Sequence, residues 1–123
     1  MKLNSQVADL LLSADSKALA MFGPNNINVV PVSTIRIVDG GIWLMNYFFN
    51  KTAENILSNP YVSLVGWRGF DGYQIKGHVL YITEGPKFND AKKWVEENLK
   101  DRVLKGLLIL SPEEIYDISP NSK

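Results

Sequence analysis

Three consecutive polar residues, Asn50, Lys51 and Thr52, are the strongest candidates for chemistry in this chain. They follow an apolar, strand-like segment and precede an apolar pattern of helical spacing that begins at Ala53. Asparagine is a favoured N-cap residue, so we predict that a helix starts at this corner. The free N–H groups of its first turn, beside an ammonium and a hydroxyl, favour an anion such as phosphate. The alternative is an ordinary helix start with a solvated lysine and a capping threonine.

The rest of the chain offers little reactive side-chain chemistry. Histidine occurs once, at His78, and cysteine is absent, so neither a multi-histidine nor a thiolate metal site is predicted. The sequence contains no phosphate-binding glycine motif and no nucleophile elbow. If the protein is an enzyme, a bound cofactor is therefore the expected source of its chemistry.

Aromatic residues cluster on both sides of the corner. Tyr47, Phe48 and Phe49 are consecutive, so they break the alternation of a strand and at least one ring must leave the core face. Trp67 stands at the end of the next predicted strand. Such rings can pack on a partner subunit or on a flat ligand. Core packing at a strand end is the alternative.

Length and charge limit the class of protein. A chain of 123 residues fits one domain, which we place over residues 1–123. Lys and Arg together equal Asp and Glu at 13 each, and this balance argues against a nucleic-acid-binding protein. No apolar run is long enough to span a bilayer, and the N-terminus lacks a signal-peptide pattern. We therefore expect a soluble, cytoplasmic protein.

The strand signals predict a small barrel. Asp39-Gly40 lies between two strand-like runs and predicts a hairpin. Pro31, within the first of these runs, removes a ladder donor and predicts an edge, a bulge or a break. Gly77, inside a long strand, predicts a bulge or a barrel corner. We count six or seven strands, and closure or near closure of the barrel would remove their exposed edges.

Three short helices complete the prediction. One begins near Asn4, one begins at the corner and stops before Asn59-Pro60, and one begins after Gly85-Pro86. The C-terminal region is predicted to form two short strands, separated by a turn at residues 111–114 (Ser-Pro-Glu-Glu).

One longer pattern spans the corner: K-T-x-x-N-(x)3-N-P-x-V, from Lys51 to Val62. Looser pieces flank it, namely residues 28–31, Asp39-Gly40, and Ile75-Lys76-Gly77 before Gly85-Pro86. Together they resemble the FMN-binding split-barrel family related to pyridoxamine 5′-phosphate oxidase, especially its small flavin-binding members. The resemblance covers most of the chain, and the first pattern is its most specific part.

This resemblance implies a mainly β fold with short helices, a six-stranded antiparallel split β-barrel, and a homodimer with FMN at the subunit interface. It implies that Lys51 and Thr52 hold the flavin phosphate. The other implied FMN contacts are Pro31, Val32 and Ser33 toward the phosphate and ribityl chain, Asn46 and Tyr47 with Phe48 and Phe49 along the isoalloxazine ring, and Trp67 with Gly66 from the neighbouring strand.

The chain also departs from the oxidase itself. Residues 107–123 carry no arginine-rich substrate motif, and Arg36 is the only arginine on the early strands. This argues against the pyridoxal-forming reaction. We therefore expect a flavin-dependent oxidoreductase that acts on an unknown small substrate. The alternative is a non-enzymatic binding module for flavin or another planar ligand such as haem, with His78 available as a ligand.

Overall fold

Seven strands and three helices make up the part of the chain that the computed structural model describes, residues 3–24, 27–47 and 50–120, with the backbone alone for residues 50–53. In chain order they are α1 (Ser5–Ser13), β1 (Ser16–Phe22), β2 (Ile27–Pro31), β3 (Ile35–Val38), β4 (Gly41–Asn46), α2 (Asn50–Ser58), β5 (Tyr61–Arg68), β6 (Asp71–Ile82), α3 (Pro86–Asn98) and β7 (Gly106–Asp117).

The strands form one antiparallel sheet in the order β2-β1-β5-β6-β7-β4-β3. The two end strands, β2 and β3, do not pair with each other in this order, so the sheet is split rather than closed. The split-barrel prediction is confirmed in outline, but the count of six strands is wrong. The seventh strand arises at Pro31, where β2 ends as an edge strand, in accord with the break predicted there.

The connection between β2 and β3 crosses the split. The Val32 N–H donates to the Lys17 carbonyl at 2.9 Å, and the Met45 N–H donates to the Thr34 carbonyl at 3.2 Å. These bonds tie the connection to β1 on one side and to β4 on the other, so the two ends of the sheet lie near each other.

An inner core lies on one side of the sheet. Its fully buried side chains include Leu11 of α1 and Leu19, Ile42, Leu64, Ile75 and Leu110 of the strands. Helix α1 is capped as predicted, because the Asn4 side chain accepts from the Val7 N–H at 2.9 Å. Gly66 permits its close approach, since a Cβ there would lie 2.9 Å from Leu11 Cδ2.

An outer core lies between α3 and the other face of β4 and β7. Its buried members are Trp43, Met45, Tyr47, Phe88, Ala91, Val95, Leu104 and Leu107. The Arg36 guanidinium lies at this layer, 5.6 Å from the ring centroid of Trp43 and 5.2 Å from that of Trp94. It therefore holds α3 to the sheet through cation–π contacts.

The C-terminal region forms one long strand, β7, so the predicted pair of short strands is wrong. Residues 111–114 do not turn but continue one strand of 12 residues, which pairs with β6 along its length. The predicted bulge at Gly77 explains the difference, since the register shifts between Lys76 and Gly77, opposite Pro112. A bulge accommodates the missing donor of a proline, so the Ser-Pro pair bends the strand instead of ending it.

None of the described helices is long and apolar enough to cross a membrane; the longest, α3, has 13 residues.

Candidate functional site

The predicted corner is a helix start. Helix α2 begins at Asn50, as the sequence predicts, and packs against β1 and β6 through a face that includes buried Ile56. Its first turn therefore presents backbone N–H groups at the end of the segment that follows β4. The side chains of Lys51 and Thr52, like Phe48 and Phe49 as a whole, lie outside the described residues. Their contacts with a phosphate or a flavin ring stay predictions.

A small cleft with a volume of about 20 Å³ lies at the end of β4. Val32 of the β2–β3 connection and Asn46 at the end of β4 both line it, above Leu19, Val30 and Leu44. Asn46 is buried, donates from Nδ2 to the Tyr81 hydroxyl at 3.2 Å, and has its carbonyl bonded by the Lys105 N–H at 2.8 Å. The structure thus brings together two predicted flavin contacts that are 14 positions apart in the sequence. It does so where the barrel is split.

Tyr47 lies in a different environment from its neighbour Asn46. Its side chain is only 4% exposed and belongs to the outer core under α3. The Arg102 guanidinium lies over its ring, 5.2 Å from the centroid. Tyr47 therefore joins the end of β4 to the segment that connects α3 to β7, and its predicted contact with the flavin ring stays a prediction.

Pro31 and Trp67 lie on the outer face of the sheet. Pro31 is exposed and pairs with Ala18 of β1, which in turn pairs with Val65 of β5. Trp67 alternates with Gly66, which faces α1, so the indole points to the opposite side from the inner core. Within one chain, the predicted contacts therefore divide between the cleft and the outer face. Ser33 is exposed in the connection between them.

This outer face carries an exposed apolar surface. Phe22, Ile27, Val29 and Trp67 are 46%, 67%, 64% and 38% exposed, on the adjacent strands β1, β2 and β5. Register and alternation place these four side chains on one side of the sheet. We call them the outer apolar surface. Exposed apolar side chains gathered on one face of a sheet are typical of an interaction site.

A polar cluster that was not predicted from the sequence lies further along the same face. Glu114 accepts hydrogen bonds from the hydroxyls of Tyr61 at 2.8 Å and Tyr116 at 2.6 Å. These bonds, chiefly that from Tyr116, lower the pKa of Glu114, and the bonded carboxylate raises the pKa of both tyrosines. The alternation that puts residues 114 and 116 on one face of a strand could have indicated part of it.

His78 has a carboxylate partner. Glu113, the residue displaced by the bulge, contacts His78 Nδ1 and also accepts from the His78 backbone N–H at 3.1 Å. The edge of the imidazole meets Tyr61, with ring centroids 5.2 Å apart. Within the described ranges, no three metal-ligating side chains lie close enough together to hold a metal ion.

Arg36 does not face the cleft. It pairs with Trp43 across the β3–β4 hairpin, and its side chain lies in the layer of α3. The hairpin itself is the one predicted at Asp39-Gly40, where both residues have positive φ angles of 50° and 82°. Arg36, the only arginine within strands β1 to β4, therefore does not line the cleft.

The sequence pattern of the pyridoxamine 5′-phosphate oxidase family matches residues 3–119. The chain therefore belongs to this family.

Known relatives support the fold. An uncharacterised protein of Methanocaldococcus jannaschii is 35% identical over 96 residues, which cover 74% of this chain and 64% of that protein. This chain thus matches less than two thirds of the relative's length. HupZ of Group A Streptococcus has a similar structure, with a TM-score of 0.86, 21% identity and 98% of both chains covered. An FMN-binding protein of Syntrophomonas wolfei has a TM-score of 0.78 and 18% identity, covering 95% of this chain and 89% of that one.

Proposed function

We propose that this protein binds FMN and acts as a flavin-dependent oxidoreductase on a small substrate. The observation that carries the proposal is the position of the α2 N-terminus, which comes three residues after the β4 end that lines the cleft. A phosphate is favoured at such a helix start, and Lys51 and Thr52 stand in its first turn. Family membership supports the same ligand.

The division of the predicted contacts supports a homodimer. Val32 and Asn46 face the cleft, whereas Trp67 stands on the opposite face of the sheet, so one flavin cannot meet all three in a single chain. A second copy, docked through the outer apolar surface, would bring its own Trp67 face toward a cleft of the first. A symmetric dimer creates two such composite sites.

The chain's own groups would bind and orient the cofactor. The corner supplies positive potential for the phosphate, and the cleft side chains, with the carboxamide of Asn46, hold one edge of the bound molecule. The partner's outer apolar surface would exclude water from the ring. When bound, FMN supplies the hydride- or electron-transfer chemistry.

An FMN titration tests the proposal. We expect FMN fluorescence to be quenched on binding, and Lys51→Ala to weaken binding by about 1–3 kcal/mol through loss of a charge-assisted hydrogen bond. Lys92→Ala, which removes an exposed lysine from α3, is the matched control and should leave the affinity unchanged. Absence of quenching by the wild-type protein would refute FMN binding. Equal losses in the two variants would refute the corner as the phosphate site.

One observation favours the second candidate, a binding module for another planar ligand such as haem. Glu113 engages Nδ1 of His78, and the side chain is 58% exposed. A carboxylate on one ring nitrogen orients an imidazole and increases its basicity as a metal ligand through the other. A haemin titration of the wild type and His78→Ala separates the candidates. A Soret shift that depends on His78, without any FMN quenching, would favour the haem module.

A further inference from the structure

An ammonium and a carboxylate stand side by side on the outer face, in line with the outer apolar surface. One row of cross-strand partners crosses the sheet from β2 to β7: Val29, Ala20, Ser63, Lys76 and Glu114. Directly paired residues point to the same side of a sheet, so Lys76 and Glu114 share the face of Val29. The row extends about 19 Å along the sheet, which lies within one ordinary interface of about 800 Å² per partner.

A groove joins the apolar and the charged part of this face. Its volume is about 150 Å³, and it is lined by Phe22 and Ile27 of the outer apolar surface together with Tyr61 and Lys76. The Tyr61 hydroxyl in turn donates to Glu114. A protein surface that docks on the outer apolar surface therefore also covers the border of the charged part.

Glu114 and Lys76 do not neutralise each other within one chain. The carboxylate accepts from two tyrosine hydroxyls, at Oε2 from Tyr61 and at Oε1 from Tyr116. The Lys76 ammonium lies over the Tyr116 ring, 5.6 Å from its centroid, and forms no ion pair within the part of the chain that the structure describes. Because both hydroxyl protons are directed at Glu114, the tyrosines and the carboxylate present only acceptors outward, whereas the ammonium carries three donors.

We propose that Lys76 and Glu114 form reciprocal ion pairs across the dimer interface, Lys76 of each subunit with Glu114 of the other. The inference rests on the proposed function, which brings the outer faces of two copies together. In a symmetric dimer each contact occurs twice, so one lysine and one carboxylate per chain supply two ion pairs. Complementary charges fix the register of an interface that apolar contacts alone leave free to slide. The two pairs would hold Trp67 of each subunit at the cleft of the other.

Two charge reversals test the pairing by sedimentation equilibrium. Lys76→Glu and Glu114→Lys each convert both attractions of the homodimer into repulsions, so each variant alone should dimerise at least about tenfold more weakly than the wild type. In an equimolar mixture, opposite charges meet at both contacts of the heterodimer. The dimer should therefore reappear on mixing, and this effect should weaken in about 1 M NaCl, where the Debye length is about 3 Å.

Matched variants serve as controls. Lys92→Glu and Glu96→Lys reverse the same charges at exposed positions of α3, and they should dimerise like the wild type, alone and mixed. Lys76→Gln and Glu114→Gln remove the charges without a like-charge contact, and circular dichroism verifies that they fold. Each should weaken the homodimer about fivefold, because two ion pairs are lost. These two variants decide the question if a charge reversal prevents folding.

The outcomes distinguish this inference from the proposed function. If the wild type stays monomeric with and without excess FMN, the proposed homodimer and this inference both fail. If the wild type dimerises but mixing the two reversals restores no dimer, or if both glutamine variants dimerise like the wild type, the ion pairs alone are refuted. If the dimer reappears on mixing but FMN fluorescence is not quenched, the ion pairs are supported and FMN binding is refuted.

Discussion

Gly77→Ala should destabilise this protein strongly, although alanine is the smallest possible addition. Gly77 lies at the bulge between β6 and β7, where a Cβ would be 2.0 Å from the Ser111 carbonyl oxygen and 3.0 Å from its carbonyl carbon. Ordinary contact begins at 3.4 Å, so the backbone of β7 would have to move by about 1.4 Å. Backbone, unlike a side-chain tip, cannot swing aside without breaking ladder hydrogen bonds.

We expect a loss of about 2–4 kcal/mol in the free energy of unfolding. Overpacking costs about 1–3 kcal/mol, and each disrupted hydrogen bond adds about 1 kcal/mol. For a domain of this size, the loss corresponds to a fall in Tm of roughly 10–20 °C.

Thermal and urea denaturation, followed by circular dichroism, measure this effect. Gly41→Ala is the matched control, because it makes the same substitution in β4 where the nearest atoms are 3.5 Å away. It should cost less than about 1 kcal/mol. If the two variants melt within about 3 °C of each other, the packing at the bulge is not as described and the reasoning is wrong.

Two further predictions concern charged side chains. Arg36→Met should leave FMN affinity within about twofold and change the free energy of unfolding by less than about 1.5 kcal/mol. The substitution removes two cation–π contacts, but it also removes a buried Nη1 that has no hydrogen-bond partner in the described chain. A large loss of FMN affinity would place Arg36 in the site after all. Glu114→Gln should lower the pKa of Tyr61 and Tyr116, which the carboxylate raises, so tyrosinate absorbance should develop at lower pH than in the wild type or in a Glu97→Gln control. Because the folded state retains these two protons longer, their contribution to stability is present below the ordinary tyrosine pKa and disappears as the pH rises through the raised pKa values of the folded state. Superimposable titration curves of the variant and the wild type would contradict the hydrogen bonds to Glu114.

The sequence predicted most of the elements because their signals are local. The Asn4 cap, the Asp39-Gly40 turn and the break at Pro31 each follow from the conformational preference of one or two residues. The turn predicted at residues 111–114 was wrong because a Ser-Pro pair usually ends a strand. Its effect here depends on a glycine 35 positions earlier, at Gly77, which no local pattern connects to Pro112.

The candidate site was predictable to a similar degree. The start of α2 followed from the corner residues. The family resemblance named Val32 and Asn46 separately as flavin contacts, and no pattern in the residues indicated that both would line one cleft. The separation of Trp67 from the cleft needed the sheet register, because a strand face is defined only relative to its neighbours. The packing of Arg102 on Tyr47 joins residues far apart in the sequence, and nothing local indicated it.

The three tryptophans give the molecule an optical readout of two separate regions on the outer side of its sheet. Trp43 is 4% exposed and Trp94 is half-buried, and both lie against the same guanidinium under α3. Trp67 stands exposed on the opposite part of the sheet. Emission from the first two therefore reports the attachment of α3, whereas the red-shifted emission of Trp67 reports whatever covers the outer apolar surface. A single Trp67→Phe variant separates the two signals without labels.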